Sequence, residues 1–86
     1  MKTITAQQYQ QIIAAGITPT SHSGDATGLA GFAEACYDQN SVAELLSALE
    51  NGPDDTDCEN WGIDAQAWEQ AIREALEAIA YDYEDA

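Results

Sequence analysis

Basic residues are almost absent from this chain of 86 residues, which has Lys2 and Arg73 against sixteen acids and one histidine. The formal net charge is −14, and residues 1–24 contain none of the acids. The 62 residues from Asp25 onward therefore sum to −15, sixteen acids less one arginine. Nucleic acids and anionic membranes would repel such a chain. The charge predicts a basic protein surface as partner, with no direct nucleic-acid binding and no membrane binding.

Long apolar runs are absent as well. The longest aliphatic stretch is IIAA at residues 12–15, which is too short for a spanning helix or for the apolar part of a signal peptide. Apolar residues still make up 45% of the chain, an ordinary share for a globular protein. We therefore expect one folded domain over residues 1–86, located in the cytoplasm.

Cysteine and histidine are scarce, which limits metal and redox chemistry. Cys36 and Cys58 are separated by a spacing that matches no common zinc motif, and His22 is the single histidine. Two thiols and one distant imidazole do not complete a tetrahedral site. The cytosol favours reduced thiols, although the sequence leaves a disulfide between the two cysteines open. We expect neither a metal nor a cofactor.

Capping patterns predict where the helices begin. Thr5 and Gln8 form a capping box for a first helix over residues 6–15, which Gly16 ends. Asp25 has the character of an N-cap for a second helix that continues to about residue 37.

Two further helices follow in the second half of the chain. Ser41 and Glu44 form another capping box, and the third helix closes at the sequence NGP of residues 51–53. Asp64 caps the last helix, whose apolar stripe consists of Trp68, Ile72, Ala75, Leu76 and Ile79. No alternating pattern of strand length is present. The sequence predicts an all-α fold: a compact bundle of four short helices, with an acidic loop before the last helix and a frayed acidic tail over residues 81–86.

The sequence DDTDCENWGID, residues 54–64, concentrates five acids, a cysteine and a tryptophan. As a calcium loop it fails: placing Gly62 at the required sixth position leaves Trp68 at the twelfth, where a glutamate is needed. As a reactive thiol Cys58 also fails, because Asp57 and Glu59 would raise its pKa. A solvated acidic surface remains.

Catalytic machinery is equally scarce. One histidine, two basic residues and no phosphate-binding glycine loop leave only carboxylates for chemistry, and the sequence around His22 lacks the context of a catalytic triad. The chain also lacks the Asp-Ser-Leu attachment site of acyl carrier proteins, which share its size and acidity. We expect a protein that is not an enzyme.

Polyanion mimicry is the function that this charge favours. Duplex DNA across a domain of roughly 30 Å carries about 18 phosphate charges, the same order as the charge of this chain. Charge attracts without specificity, so an apolar anchor is also expected, with Trp61 first and Tyr81 and Tyr83 next. The candidate contact residues are the acids of residues 54–59 and of the last helix, together with one tryptophan: Asp54, Asp55, Asp57, Glu59, Trp61, Glu69, Glu74, Glu77, Asp82 and Glu84.

Acid clusters such as DDTD at residues 54–57 and YDYED at residues 81–85 resemble those of a known group of proteins. The group comprises small, strongly acidic phage-encoded inhibitors, including DNA-mimic anti-CRISPR and anti-restriction proteins. The resemblance covers the acidic 62 residues and rests on size, helical content and charge. It implies a non-catalytic inhibitor in the host cytosol that blocks DNA binding by a CRISPR surveillance complex or another nucleic-acid enzyme.

Two other classes stay open on the sequence. An immunity protein or antitoxin that neutralises a basic nuclease or toxin would use the same electrostatics against a dedicated partner. An acidic adaptor or structural domain would use its charge for solubility or for life in a saline cytosol. The acid-free first 24 residues argue against saline adaptation, which would spread acids over the whole chain.

Overall fold

Five helices make up the fold of this computed structural model, which describes residues 3–22 and 28–85. The described residues contain no strand, so the all-α prediction is confirmed. The prediction of four helices is wrong by one. The helices are α1 (Ala6–Ala14), α2 (Gly31–Gln39), α3 (Val42–Asn51), α4 (Asp55–Trp61) and α5 (Ala65–Asp85).

Local capping chemistry sets the starts of α1 and α3, as predicted. The Thr5 backbone N–H donates to Gln8 Oε1 at 2.8 Å, and the Gln8 N–H donates back to Thr5 Oγ1 at 3.1 Å. Ser41 and Glu44 repeat the same exchange at 2.8 and 3.1 Å. Each box satisfies two of the amides that the first turn of a helix leaves without partners.

Helix α2 begins later than predicted. Gly28 and Gly31 have φ angles of 73° and 58°, in a region that a right-handed helix does not use. The helix therefore does not extend upstream of Gly31, its first residue, and the predicted cap Asp25 lies outside the described residues. Leu29 is buried although it precedes the helix.

The acidic loop predicted before the last helix is itself a helix. The Asp54 carboxylate accepts from the N–H groups of Thr56 and Asp57 at 2.8 and 3.1 Å, and so caps α4. Gly62 ends α4 in the left-handed conformation with φ 64°. Aspartate at the N-cap and in the first turn also lies at the positive end of the helix dipole, where negative charge is stabilising.

Helix α5 is the centre of the fold and contacts each of the other four helices. The Asp64 carboxylate caps it by accepting from the Ala67 N–H at 2.7 Å, as predicted. Its predicted apolar stripe is buried: Trp68, Ile72, Ala75, Leu76 and Ile79 are each 3% exposed or less.

The acidic tail is not frayed, which corrects a further prediction. Helix α5 continues through Asp85, for 21 residues in all. Its last turn carries acids at the negative end of the helix dipole, which disfavours helix, so contacts with other elements must hold it. Tyr83 stacks on Tyr9 of α1, with ring centroids 4.6 Å apart.

Candidate acidic contact surface

Helix α4 and its N-cap Asp54 bring together five of the ten predicted contact residues on one short element. Asp54, Asp55 and Glu59 are exposed, whereas Asp57 is half-buried. The stretch from residue 54 to residue 64 carries five acids and no base. It is therefore a continuous source of negative field without an internal counter-charge.

The acids around Cys58 lie close enough for their charges to affect the pKa of its thiol. Burial is the main cause that raises the pKa of its thiol, and the charges of Asp55, Asp57, Asp54 and Asp64 raise it further, in that order. The predicted direction is thus supported, although Glu59 is not among the causes. A protonated thiol is a poor nucleophile, so this arrangement gives no reactive cysteine.

Trp61 ends α4 and lies between solvent and the rest of the protein. Its side chain is 47% exposed, the largest value among the big apolar side chains described. The indole ring packs against Phe32 of α2, with ring centroids 5.5 Å apart and planes inclined at 53°. The predicted anchor is thus an exposed indole ring held in place by a second aromatic ring.

A cavity of about 230 Å³ opens beside Trp61, where α2, α3, α4 and α5 meet. Phe32 and Trp61 form aromatic walls, and the buried Trp68 lies deeper in the lining. The acidic residues Asp57 and Glu44 line the same cavity. The Asp57 Oδ2 accepts the Trp68 indole N–H at 3.3 Å, which fixes this carboxylate at the cavity.

The predicted acids of α5 fall into two sets. Glu69 is exposed, and Glu74 and Glu77 are half-buried. Arg73 lies between Glu69 and Glu77 at four-residue spacing, so this part of the acidic surface contains a base. No ion pair within 4.0 Å joins Arg73 to a carboxylate of the described residues.

The remaining α5 acids have partners within the protein. Asp82 accepts the hydroxyl of the buried Tyr37, and Glu84 accepts the hydroxyl of Tyr9. The hydrogen bond from Tyr9 to Glu84 is the main cause that raises the pKa of this tyrosine. These two carboxylates attach the end of α5 to α2 and α1.

Glu77 and the two further anchor candidates, Tyr81 and Tyr83, all lie on α5. Glu77 Oε1 lies 3.2 Å from His22 Nε2, and the Glu77 carbonyl accepts the Thr20 N–H, so the segment after α1 is attached to α5. Tyr81 is 37% exposed on α5, whereas Tyr83 is half-buried in its stack with Tyr9.

The described part of the chain contains neither a candidate metal-binding group nor a disulfide. Within residues 3–22 and 28–85, no group of three or more His, Cys, Asp or Glu side chains could hold a metal ion. Cys36 and Cys58 are both free thiols. Over the same residues, no helix has the length and apolar character that crossing a membrane requires.

Sequence reasoning missed the cavity although it found the acids and Trp61. Phe32 and Glu44 come from α2 and α3, and nothing in their local pattern connects them to residues 57–68. Trp68 was predicted as a core residue, and it is buried. Its indole N–H also donates to the Asp57 carboxylate, which its position in the apolar stripe does not indicate.

Neither the models of known protein families, nor the curated proteins, nor the solved structures give a significant match to this chain.

Proposed function

We propose that this protein is a non-catalytic inhibitor that occupies a basic nucleic-acid-binding groove by imitating a polyanion, as an anti-CRISPR protein would when it blocks DNA binding by a surveillance complex. The observation that supports this best is the acidic surface of α4, which contains no base, with Asp54, Asp55 and Glu59 exposed beside the half-exposed Trp61. Its site of action would be the cytosol of the host cell.

The size of the molecule is commensurate with this role. The protein measures 35 Å along its longest axis and carries a net charge of −14. Duplex DNA of that length carries about 20 phosphate charges, at one per ~1.7 Å of axis. A groove that evolved to neutralise phosphates would therefore meet a comparable charge, and opposite fields would accelerate association at low salt.

A polyanion mimic holds its carboxylates in fixed positions, whereas a protein that is acidic only for solubility has no need to do so. The carboxylates of α4 are carried by a capped helix, and the Asp57 contact with Trp68 attaches that helix to the core. Groups held in position before binding lose less conformational entropy on association than groups on a mobile loop. Trp61 adds the kind of aromatic contact that interface hot spots favour.

The test is a competition titration with purified, guide-loaded CRISPR surveillance complexes and a fluorescent target duplex. Adding the protein should release the duplex, and raising the salt from about 50 to 200 mM should weaken the inhibition, because screening shortens the reach of exposed charges. The proposal is refuted if every complex tested keeps its duplex at a large excess of the protein.

A pair of variants with equal charge separates the α4 surface from total acidity. The first variant carries Asp54→Asn, Asp55→Asn and Glu59→Gln, and asparagine at position 54 can still cap α4. The control carries Glu34→Gln, Asp38→Asn and Glu50→Gln, three exposed acids of α2 and α3.

Both variants have a net charge of −11, three less negative than −14. Three exposed ion pairs at about 0.5 kcal/mol each predict a roughly tenfold loss of inhibition for the α4 variant. Equal loss in the control would show that total charge matters rather than α4, and no loss in either would favour a role in solubility.

A further inference from the structure

The cavity beside Trp61 combines aromatic and acidic residues. Phe32 and Trp61 provide aromatic walls, and the lining includes the acidic residues Asp57 and Glu44. Its volume of about 230 Å³ is below the range of about 300–1,000 Å³ that small-molecule sites occupy. The space is suited to a single side chain.

The charge of the lining selects a cation. The described residues that line the cavity include no basic side chain, and Arg73 and His22 are not among them. One oxygen of Asp57 accepts the Trp68 indole N–H, and this neutral donor leaves the negative charge of the carboxylate in place. An apolar occupant would remove that charge from water without supplying a counter-charge, which is unfavourable.

The aromatic walls distinguish between the two basic side chains. A guanidinium group is planar, weakly hydrated, and able to stack on an aromatic ring while its edge donates to a carboxylate. An ammonium group is compact and strongly hydrated, and it would lose more solvation on entering the same space. Trp61 provides a half-exposed ring and Asp57 a fixed acceptor at the same opening.

We propose that this cavity receives one arginine side chain of the basic partner, stacked on Trp61 and bound by the Asp57 carboxylate. The origin of that arginine rests on the proposed function, whereas the affinity of the cavity for a guanidinium group does not. This contact would add specificity to the general attraction of the α4 surface.

The test uses N-acetyl-arginine amide as the probe and two-dimensional proton–nitrogen NMR as the readout. The protein has two tryptophans, so two indole N–H signals report directly on the walls and the depth of the cavity. Both signals should shift and saturate with a dissociation constant on the order of 1 mM. The lysine and glutamine amides of the same form are the controls and should bind several-fold more weakly.

Two isosteric variants locate the carboxylate. Asp57→Asn keeps an oxygen that can accept the Trp68 N–H but removes the charge, and it should weaken binding of the arginine probe about tenfold. Glu50→Gln removes one negative charge from an exposed position of α3, outside both the lining and the α4 surface, and should change binding by less than about twofold. A thermal melt of each variant establishes that the fold is retained.

Three results would overturn the assignment: shifts as large with the glutamine probe, equal binding of the lysine probe, or equal weakening by the two variants. Binding of arginine that depends on Asp57, in a protein that displaces no duplex, would refute the mimicry and leave the cavity assignment intact. Displacement of duplex without arginine binding would refute the cavity assignment alone.

Discussion

The hydrogen bond from Tyr37 to Asp82 gives a sharp test of whether the acidic tail belongs to the fold. Tyr37 is 4% exposed on α2, and its hydroxyl donates to the half-buried Asp82 carboxylate near the end of α5. Replacing Tyr37 with phenylalanine removes the donor and leaves a half-buried charge without that partner. Loss of one partner of a buried acceptor costs about 1–3 kcal/mol, and partial access to water places the value near 1–2 kcal/mol.

That loss is a large share of the total stability. A chain of this length has a free energy of unfolding of roughly 4–13 kcal/mol, at about 0.05–0.15 kcal/mol per residue. For a domain of this size each kcal/mol lowers the melting temperature by about 4–8 °C, so Tyr37→Phe should lower it by roughly 5–15 °C. Thermal and urea unfolding followed by far-UV circular dichroism measure both quantities.

Tyr9 provides a matched control with the same chemistry. Its hydroxyl donates to Glu84, also on the last turns of α5, but this pair is exposed to solvent. Tyr9→Phe should therefore destabilise the protein less than Tyr37→Phe, because water can replace the lost donor. A double-mutant cycle with Asp82→Asn should show coupling between Tyr37 and Asp82. Equal melting temperatures for Tyr37→Phe and the native protein would refute the reasoning, and so would a larger loss from Tyr9→Phe.

Two further predictions concern the thiol of Cys36 and the end of α4. Burial, followed by the charge of Asp57, raises the pKa of Cys36 from 9.0 to about 11. The folded state therefore favours the protonated thiol. The contribution of this group to the free energy of unfolding is fully present below pH 9 and is lost as the pH rises through 11. Urea titrations at pH 8 and 11 should show about 2 kcal/mol more loss in the native protein than in Cys36→Ala, and equal losses would contradict this. At Gly62, with φ 64°, an added Cβ would meet no atom within 4 Å, so only the backbone conformation is strained. Gly62→Ala should cost about 1 kcal/mol in the same unfolding assay and Gly62→Asn less, whereas equal costs would contradict a left-handed cap.

Helix starts that depend on neighbouring residues could be predicted from the sequence. The Thr5–Gln8 and Ser41–Glu44 boxes join residues three apart, and both form as expected. Asp64 likewise caps α5 through the Ala67 N–H. Such bonds require only a turn of backbone, so their residue types at fixed spacing are sufficient evidence.

The sequence of α4 contains local signals for a helix, yet this segment was predicted to be an acidic loop. Asp54 after Pro53 and Gly62 at the far end have the positions of a cap and a stop, yet the seven residues between them form no apolar stripe. Short helices gain little from propensity alone and depend on contacts with the rest of the fold. One such contact joins Asp57 to Trp68, eleven residues along the chain.

By itself, the sequence determined the sign of the charge, the helical class, the caps of α1, α3 and α5 and the identity of the acids around Trp61, because each follows from composition or from residues within a turn of one another. Only the tertiary structure decided which acids bind other residues of the protein. Asp82 and Glu84 look in sequence like Asp55 and Glu59, yet they accept tyrosine hydroxyls from residues that lie 45 and 75 positions away. The cavity has the same origin, since Phe32, Glu44 and Asp57 meet only when α2, α3 and α4 pack around α5. Contacts at such separations depend on how whole helices dock, and no local pattern encodes that geometry.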